Sequence, residues 1–356
     1  MANPGESELH YPFGDTLPAL GTAIDVAPGI RWLRMPLPFA LDHINLWLLR
    51  DRQNGVEGWT VVDCGVHNEA TKAAWEGVFA SALDGLPVLR VVATHMHPDH
   101  LGLAHWLTQR WSTPGHDCRL WISAADYYVA QFASRPTDPA GRENVAAHFG
   151  SHGLTDAAAL GALMHRGDHY ARLVPSVPSR FRRLLDGMAL DVGGERWVCH
   201  AGHGHAPEHM ALHCAAKGVL IAGDMVLPRI STNVSVIDSE PEADALGLYL
   251  ASIERMRALP DDTLVLPSHG KPFTGLQRRI DQLAAHHRDR LAEVMAACAE
   301  GPQTAADILP TMFRRPLDAH QTGFAMGEAI AHLNALWLEE RLTRTRGADG
   351  VFRFSA

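Results

Sequence analysis

The most informative segment of the chain reads Thr94-His95-Met96-His97-Pro98-Asp99-His100-Leu101-Gly102. It follows an apolar run over residues 88–93, whose β-branched side chains indicate a buried strand. Three imidazoles and a carboxylate therefore lie close together in the sequence, directly after the carboxyl end of one strand. A solvated loop has no need of this combination at this spacing, so we predict a metal site here.

Composition limits the class of protein. The chain has 356 residues and a mass of 38.8 kDa, of which 46% are hydrophobic, and this length suggests about two domains. The first residues lack a basic segment followed by an apolar one, and no later apolar run is long enough to span a membrane. We therefore expect a soluble, cytoplasmic protein without a secretory signal.

The cysteines and the net charge exclude several further classes. Five scattered cysteines contain no Cys-x-x-Cys pair, which argues against a disulfide framework and a zinc ribbon and predicts reduced, mostly buried thiols. A net charge of −9 argues against nucleic acid or an anionic membrane as the main partner. A small-molecule substrate is the partner that we expect.

The first half of the chain predicts alternating strands and helices. An irregular arm rich in proline and glycine covers residues 1–22, and short strands follow, the last of which ends at Asp63. Apolar spacing predicts a helix over 68–83 and a second one over 100–111, after the histidine-rich segment. This order is typical of a layered α/β domain.

A helical insertion is predicted over about residues 123–178. It is a candidate lid, and the equally weighted alternative is a helical decoration packed on its own aromatic side chains. His165 and His169 lie one helical turn apart in it, but Gly167 interrupts the helix and no glutamate occupies the H-E-x-x-H position, so a metal site there is disfavoured. Its aromatic and basic side chains are Tyr127, Tyr128, Phe132, Phe149, Tyr170, Arg135, Arg142, Arg166 and Arg172.

Later strands repeat the pattern of the first motif. An apolar run over 219–222 ends at Gly223-Asp224, and another over 264–266 ends near His269. A loop between two further strands carries His203, His205 and His209. Because α/β sheets place their sites at the strand ends, we expect these side chains to converge on one edge.

The motifs together resemble the metallo-β-lactamase fold superfamily. Five landmarks occur in order between about residues 20 and 285, namely Asp63, His95-x-His97-x-Asp99-His100, Gly204-His205, Gly223-Asp224 and Ser268-His269-Gly270. The resemblance implies an α/β fold, an αββα sandwich of two mixed sheets, with a dinuclear site at their edge. The predicted domain covers residues 23–285 and contains the insertion.

The resemblance also implies which residues bind metal. The first ion would take His95, His97 and His205, the second would take Asp99, His100 and His269, and Asp224 would bridge them. Asp99 and Asp224 are the candidate catalytic residues. Asp63 would not bind metal itself but would orient one of the metal ligands by a hydrogen bond, and His203 and His209 are candidates for the same supporting role.

The ligand set predicts hydrolytic chemistry. Imidazole and carboxylate without thiolate suit zinc, with iron or manganese as alternatives. Two cations that share a water lower its pKa from about 15.7 towards about 7, which supplies hydroxide without a protein nucleophile. The best-known true β-lactamases of this fold have cysteine at the bridging landmark, so Asp224 resembles instead the hydrolases of thioesters, lactones and phosphodiesters.

The last segment, residues 286–356, resembles a small winged-helix domain found in one branch of the superfamily that includes endoribonucleases. Helices are predicted from His286, from Thr304 and from Gly323, followed by a strand over 350–354. Eight basic residues stand against nine acidic ones, which is unfavourable for binding phosphates. We therefore expect a packing role or a homo-oligomer contact for this segment.

The expected activity is hydrolysis of an acyl thioester of the coenzyme A or glutathione type. Aromatic and arginine side chains of the insertion suit an acyl chain on an anionic carrier. The alternatives are an endoribonuclease or phosphodiesterase, a lactonase or β-lactamase-like hydrolase, and a mononuclear iron sulfur dioxygenase. Metal counting separates the last of these from the dinuclear hydrolases.

Overall fold

The computed structural model describes residues 3, 5–39, 41–136, 139–164 and 166–356, and for residues 166–168, 319 and 320 it describes the backbone. Seven strands form the first sheet and follow one another across it in chain order. They are β1 (Ile24–Ala27), β2 (Ile30–Pro36), β3 (His43–Gln53), β4 (Val56–Val62), β5 (Val88–Val92), β6 (Arg119–Ser123) and β7 (Phe181–Leu184). Strands β1–β4 pair antiparallel and β4–β7 pair parallel, which makes the sheet mixed.

Five strands form the second sheet. They are β8 (Ala189–Val192), β9 (Glu195–Gly202), β10 (His209–Cys214), β11 (Val219–Gly223) and β12 (Leu264–Pro267). Their spatial order is β12-β11-β10-β9-β8, in which β11 and β12 pair parallel and the others pair antiparallel. The predicted strands of this half of the chain are therefore all present.

Helices cover the outer faces of both sheets. The predicted helix over 100–111 is in fact two helices, over residues 98–101 and 104–111, and the described part of the insertion contributes four more. Along the chain they are α1 (Glu69–Ser81), α2 (Pro98–Leu101), α3 (Ala104–Trp111), α4 (Ala124–Ala133), α5 (Pro139–Ser151), α6 (Ala157–Met164), α7 (Arg166–Leu173) and α8 (Ala245–Arg255).

Three clusters of buried apolar side chains define the layers. One lies between the sheets and joins Trp32 and Trp47 of the first sheet to Trp197 and Ile221 of the second. The second fills the space between the first sheet and helices α1, α3 and α4, and the third lies between the second sheet and α8 with the helices that follow it. The predicted αββα sandwich is confirmed, and its edge carries the strand ends of interest.

The C-terminal part consists of α9 (Leu276–Glu300), α10 (Ala305–Met312), α11 (Ala319–Leu338) and a hairpin of β13 (Thr343–Arg346) and β14 (Phe352–Ser355). The predicted start of its first helix at His286 is wrong by ten residues. The helix begins directly after Gly275, which takes the left-handed φ of +99° that ends the preceding loop. The expected boundary between residues 285 and 286 therefore falls inside a helix.

Two further expectations concern the thiols and the membrane. All five cysteines are unpaired and buried, as predicted. None of the helices within the described ranges combines the length and the apolar character that a bilayer-spanning helix requires.

Candidate metal centre

The predicted ligands come together at one edge of the sandwich. The segment after β5 supplies His95, His97, Asp99 and His100, and the turn between β9 and β10 supplies His205. Asp224 follows β11 and His269 follows β12. Neighbouring strands end at the same edge, so residues far apart in sequence meet there.

Three imidazoles form the first group. The Nε2 atom of His95 lies 2.9 Å from Nδ1 of His97 and 3.2 Å from Nε2 of His205, and the latter two nitrogens are 3.1 Å apart. Three ring nitrogens that face one another this closely cannot all be hydrogen-bonded together. This arrangement is typical of the donor set of a cation.

A carboxylate and two imidazoles form the second group. Asp99 Oδ2 lies 3.4 Å from Nε2 of His269 and 3.8 Å from Nε2 of His100. Asp224 stands between the two groups, since its Oδ2 is 3.3 Å from His205 while its Oδ1 is 3.6 Å from His100 and 3.5 Å from His269. Each group is compact enough to hold a metal ion.

Two observations of the surroundings fit metal binding. The buried Nε2 atom of His100 and the buried Oδ1 atom of Asp224 have no hydrogen-bond partner. Three of the imidazoles also donate their other ring N–H away from the centre: His100 to Asp63 (2.8 Å), His205 to the Asn233 carbonyl (2.7 Å) and His269 to the His43 carbonyl (2.8 Å). This leaves their Nε2 lone pairs directed inward, as in metal-binding histidines.

The two groups differ in the pKa values of their histidines. Burial lowers the pKa of His97 to about 3 and holds the pKa of His95 well below its ordinary value. In the second group burial also opposes the charged form, but the Asp224 and Asp99 carboxylates raise the pKa of His269 to about 10. The three carboxylates Asp63, Asp99 and Asp224 likewise raise the pKa of His100. The second group therefore attracts positive charge more strongly than the first.

Asp63 and His209 support the centre from behind. Asp63 accepts the backbone N–H of Thr94 at 2.7 Å and the ring N–H of His100, so it fixes the ring of His100. His209 is fully buried, and its Nε2 accepts the backbone N–H of Asp224 at 3.1 Å. His203 lies elsewhere, on the wall of a cavity, with Nδ1 2.8 Å from the carbonyl oxygen of Pro207.

Asp126 is a supporting residue that the sequence reasoning missed. Its Oδ1 accepts the N–H of Met96 and its Oδ2 accepts the N–H of Glu208, each at 2.7 Å. The carboxylate thus joins the loop that carries His97 to the loop that carries His205. Burial raises its pKa to about 6. The sequence Ser123-Ala-Ala-Asp126 matches a helix N-terminal capping pattern and could have drawn attention to it.

The loop after Asp224 is held in place by two further residues whose interactions could not be predicted from the sequence. Thr232 donates its hydroxyl to the carbonyl oxygen of Asp224. Arg279 of α9 is buried and donates to the carbonyl oxygens of Leu227 (2.6 Å) and Ile230 (2.9 Å). The long C-terminal helix therefore fixes the loop that orients His205 through Asn233.

The aromatic side chains of the insertion divide into two sets. Tyr127 is buried and stacks on Phe181, and Tyr170 donates its hydroxyl to the carbonyl oxygen of Met96 at 2.6 Å. Tyr128 and Phe132 are exposed. His169 packs its ring edge-on near Phe39, whereas His165 lies outside the described residues. The insertion thus touches the site and also offers free apolar surface, which fits either of its two predicted roles.

A cavity of about 590 Å³ opens beside the first group of imidazoles. Its wall includes His97 and His205, residues of α4, α5, α8 and α11, and the segment over residues 233–243. Most of its larger side chains are apolar, and no lysine or arginine is among the described residues that line it. A substrate bound at the metal groups would extend into this space.

Comparisons with known proteins agree with this geometry. The model of the metallo-beta-lactamase superfamily matches residues 40–269, and the model of the metallo-beta-lactamase-like C-terminal domain matches residues 291–356. A beta-lactamase domain protein from Burkholderia ambifaria is 56% identical, with a TM-score of 0.92 and 98% of each chain covered.

Two more distant relatives are similar over nearly their whole length. A metallo-beta-lactamase family protein from Thermus thermophilus is 28% identical, with a TM-score of 0.73, and covers 93% of this chain and 99% of its own. The probable metallo-hydrolase YqjP of Bacillus subtilis is 26% identical over 321 residues, 87% of this chain and 93% of its own. With the matched residues and the site described above, the chain belongs to the metallo-beta-lactamase superfamily and is a metal-dependent hydrolase.

Proposed function

We propose that the protein hydrolyses an acyl thioester and uses two divalent cations, with zinc as the first choice. The observation that carries the dinuclear centre is the position of Asp224, whose two oxygens face different groups of ligand-type side chains. His95, His97 and His205 would hold one cation, and Asp99, His100 and His269 the other. A single-metal iron dioxygenase would have no use for the second group.

The residues of the chain supply the rest of the chemistry. When bound, a pair of cations lowers the pKa of a water and polarises a carbonyl oxygen. Asp224 would fix the distance between the two groups of ligand-type side chains. Asp99 would offset the positive charge of the cation in the second group. Asp63, His209 and Asp126 would hold the imidazole rings and loops in place, so that little reorganisation is needed during the reaction.

The cavity supports an acyl group in preference to a nucleic acid. A phosphate backbone requires a continuous basic surface, and the described cavity wall has no basic side chain other than histidine. Arg135, Arg142 and Arg172 belong to the insertion and are not among the described residues that line this wall. We propose that an anionic carrier, coenzyme A or glutathione, lies towards these arginines while the acyl group enters the cavity.

Metal analysis tests the dinuclear centre. We expect about two equivalents of transition metal per chain by elemental analysis. Asp224→Ala should lower metal content and reduce activity by orders of magnitude, because both groups of ligand-type side chains would lose the carboxylate that stands between them. Asp262→Ala, at an exposed position, is the matched control and should change neither. A reproducible single iron in the unmodified protein would contradict the proposal.

A substrate panel tests the reaction. The metal-loaded enzyme is assayed with acyl-coenzyme A, acyl-glutathione, a lactone, the β-lactam nitrocefin and single-stranded RNA. We expect the highest kcat/KM on a thioester, with weak activity on the lactone or the β-lactam. Cleavage of RNA with a higher efficiency than every thioester would reject this choice in favour of the endoribonuclease alternative.

A further inference from the structure

We infer that helix α11 and the segment over residues 233–243 form a binding subsite for a long apolar acyl chain, so that the C-terminal part of the protein sets chain-length preference. The inference rests on the proposed function and names the substrate more closely. It also gives the C-terminal part a role in the site itself, beyond the packing or oligomer contact expected from its charge.

The wall of the cavity is the first line of support. Met96, His97 and His205 line the cavity next to the metal groups, where the reacting carbonyl would lie. Helices of the insertion, α8 and α11 supply further parts of the wall. The apolar side chains along it are Val129, Phe149, Val236, Ile237, Leu248 and Phe324.

Exposure is the second line of support. Val129, Ile237, Leu248 and Phe324 are each between 37% and 53% exposed. They come from α4, the 233–243 segment, α8 and α11, which are far apart in sequence, yet all four line this one cavity. Large apolar side chains gathered around a cavity that leads to a reactive centre are typical of a site for an apolar ligand.

The third line of support is the attachment of the 233–243 segment to α11. The N–H of Val236 donates to the carbonyl oxygen of Gly327 at 3.1 Å. Asn334, also on α11, donates its side-chain amide to the carbonyl oxygens of Pro241 (3.0 Å) and Ala243 (3.3 Å). Because α11 holds this segment at three points, the shape of the cavity depends on the C-terminal part.

The charges of the wall decide the kind of occupant. Apart from the histidines near the metal groups, Glu240 is the titratable side chain among the described residues of the wall, and it is exposed. An anionic occupant would meet repulsion and find no lysine or arginine partner there. An uncharged hydrocarbon chain needs no charged partner in the wall, and its transfer from water into the cavity is favourable in free energy.

Kinetics on a chain-length series test the subsite. We expect the unmodified enzyme to prefer dodecanoyl-coenzyme A over acetyl-coenzyme A in kcat/KM. Phe324→Ala and Leu248→Asp should each lower this preference about tenfold, mainly through KM. The matched controls are Leu338→Ala and Leu338→Asp, at an exposed apolar position on helix α11 that does not line the cavity, and they should leave the preference unchanged.

Binding separates this inference from the proposed function. Calorimetric titration of the full chain with the uncharged probe 1-decanol, before and after removal of metal by chelation, should show binding that Leu248→Asp weakens about tenfold and Leu338→Asp leaves unchanged. If the chelated protein binds 1-decanol in this way but the metal-loaded enzyme hydrolyses no thioester, the subsite is supported and the proposed reaction is rejected. An unchanged chain-length preference in Phe324→Ala and Leu248→Asp, with hydrolysis intact, overturns the subsite alone.

Discussion

At the scale of single residues, the centre depends on side chains that do not bind metal themselves. Asp126 is an example, since one buried carboxylate accepts backbone N–H groups from both loops that carry the first group of imidazoles. A carboxylate can do this because both its oxygens are acceptors, whereas a carboxamide has only one. The residue therefore sets the distance between His97 and His205.

Asp126→Asn should separate positioning from metal binding. The new amide nitrogen cannot accept a hydrogen bond, so either Met96 or Glu208 loses its partner at a cost of about 1–3 kcal/mol. We expect lower stability in urea unfolding and weaker metal retention in competition with a chelator. Asp156→Asn is the control, because Asp156 caps α6 on the surface and asparagine caps equally well. Equal metal retention in both variants would contradict the role given to Asp126.

At the scale of elements, the close approach of α11 to the 233–243 segment requires glycine at position 327. A Cβ atom there would lie 2.8 Å from both Cβ and Oγ of Ser235 and 3.3 Å from the carbonyl oxygen of Val236. These atoms belong to a segment held by several hydrogen bonds and cannot move freely. The helix and the segment thus meet at a contact that tolerates no side chain.

Gly327→Ala should lower the free energy of unfolding by about 1–3 kcal/mol, as overpacking does. Gly161→Ala is the matched control in α6, where an added Cβ atom meets nothing within 4 Å. It should raise stability by about 0.5–1 kcal/mol, because alanine loses less backbone entropy than glycine in a helix. Urea unfolding of both variants measures the difference, and a Gly327→Ala protein as stable as Gly161→Ala would show that the contact can relax.

At the scale of the whole molecule, buried histidines make stability depend on pH. In the C-terminal part, burial and the neighbouring ring of His332 lower the pKa of His287 to about 2, and burial lowers the pKa of His332 to about 4. Burial likewise lowers the pKa of His152 to about 3. Since an unfolded histidine titrates near a pKa of about 6.5, the unfolded state binds more protons than the folded state below that pH.

Stability should therefore be fully present above about pH 6.5 and should be lost as the pH falls towards about 4. Urea midpoints measured between about pH 8 and pH 4 after removal of metal test this. His287→Gln keeps a polar group beside His332 but does not titrate, so its midpoints should fall less steeply. His10→Gln, at an exposed position, should follow the unmodified protein. Parallel curves for the His287→Gln variant and the unmodified protein would contradict the assignment.

The sequence by itself determined the layers of the fold and the ligand-type residues at its edge. Strand ends such as Val92 and Ala222 are apolar, the residues that follow within a few positions are histidine or aspartate, and this local contrast is visible without coordinates. Apolar periodicity predicted the layered α/β order, because it reports which faces are buried. The αββα sandwich was implied by the resemblance to the superfamily, and the structure confirms it. The exact ends of helices were harder to predict. Examples are the division of 100–111 into α2 and α3 and the start of α9 at Leu276.

Only the tertiary structure decided which supporting groups stand behind the ligand-type side chains and what forms the cavity. Asp126 and Arg279 bind backbone atoms of segments up to 82 residues away in the chain. The carbonyl oxygen of Asn233 accepts from the ring of His205, and no spacing rule encodes such contacts. The same holds for Phe324 of α11, which lines the same cavity as His97. Local sequence determines burial and secondary structure, whereas contacts between distant segments depend on how the layers pack, and packing belongs to the whole chain.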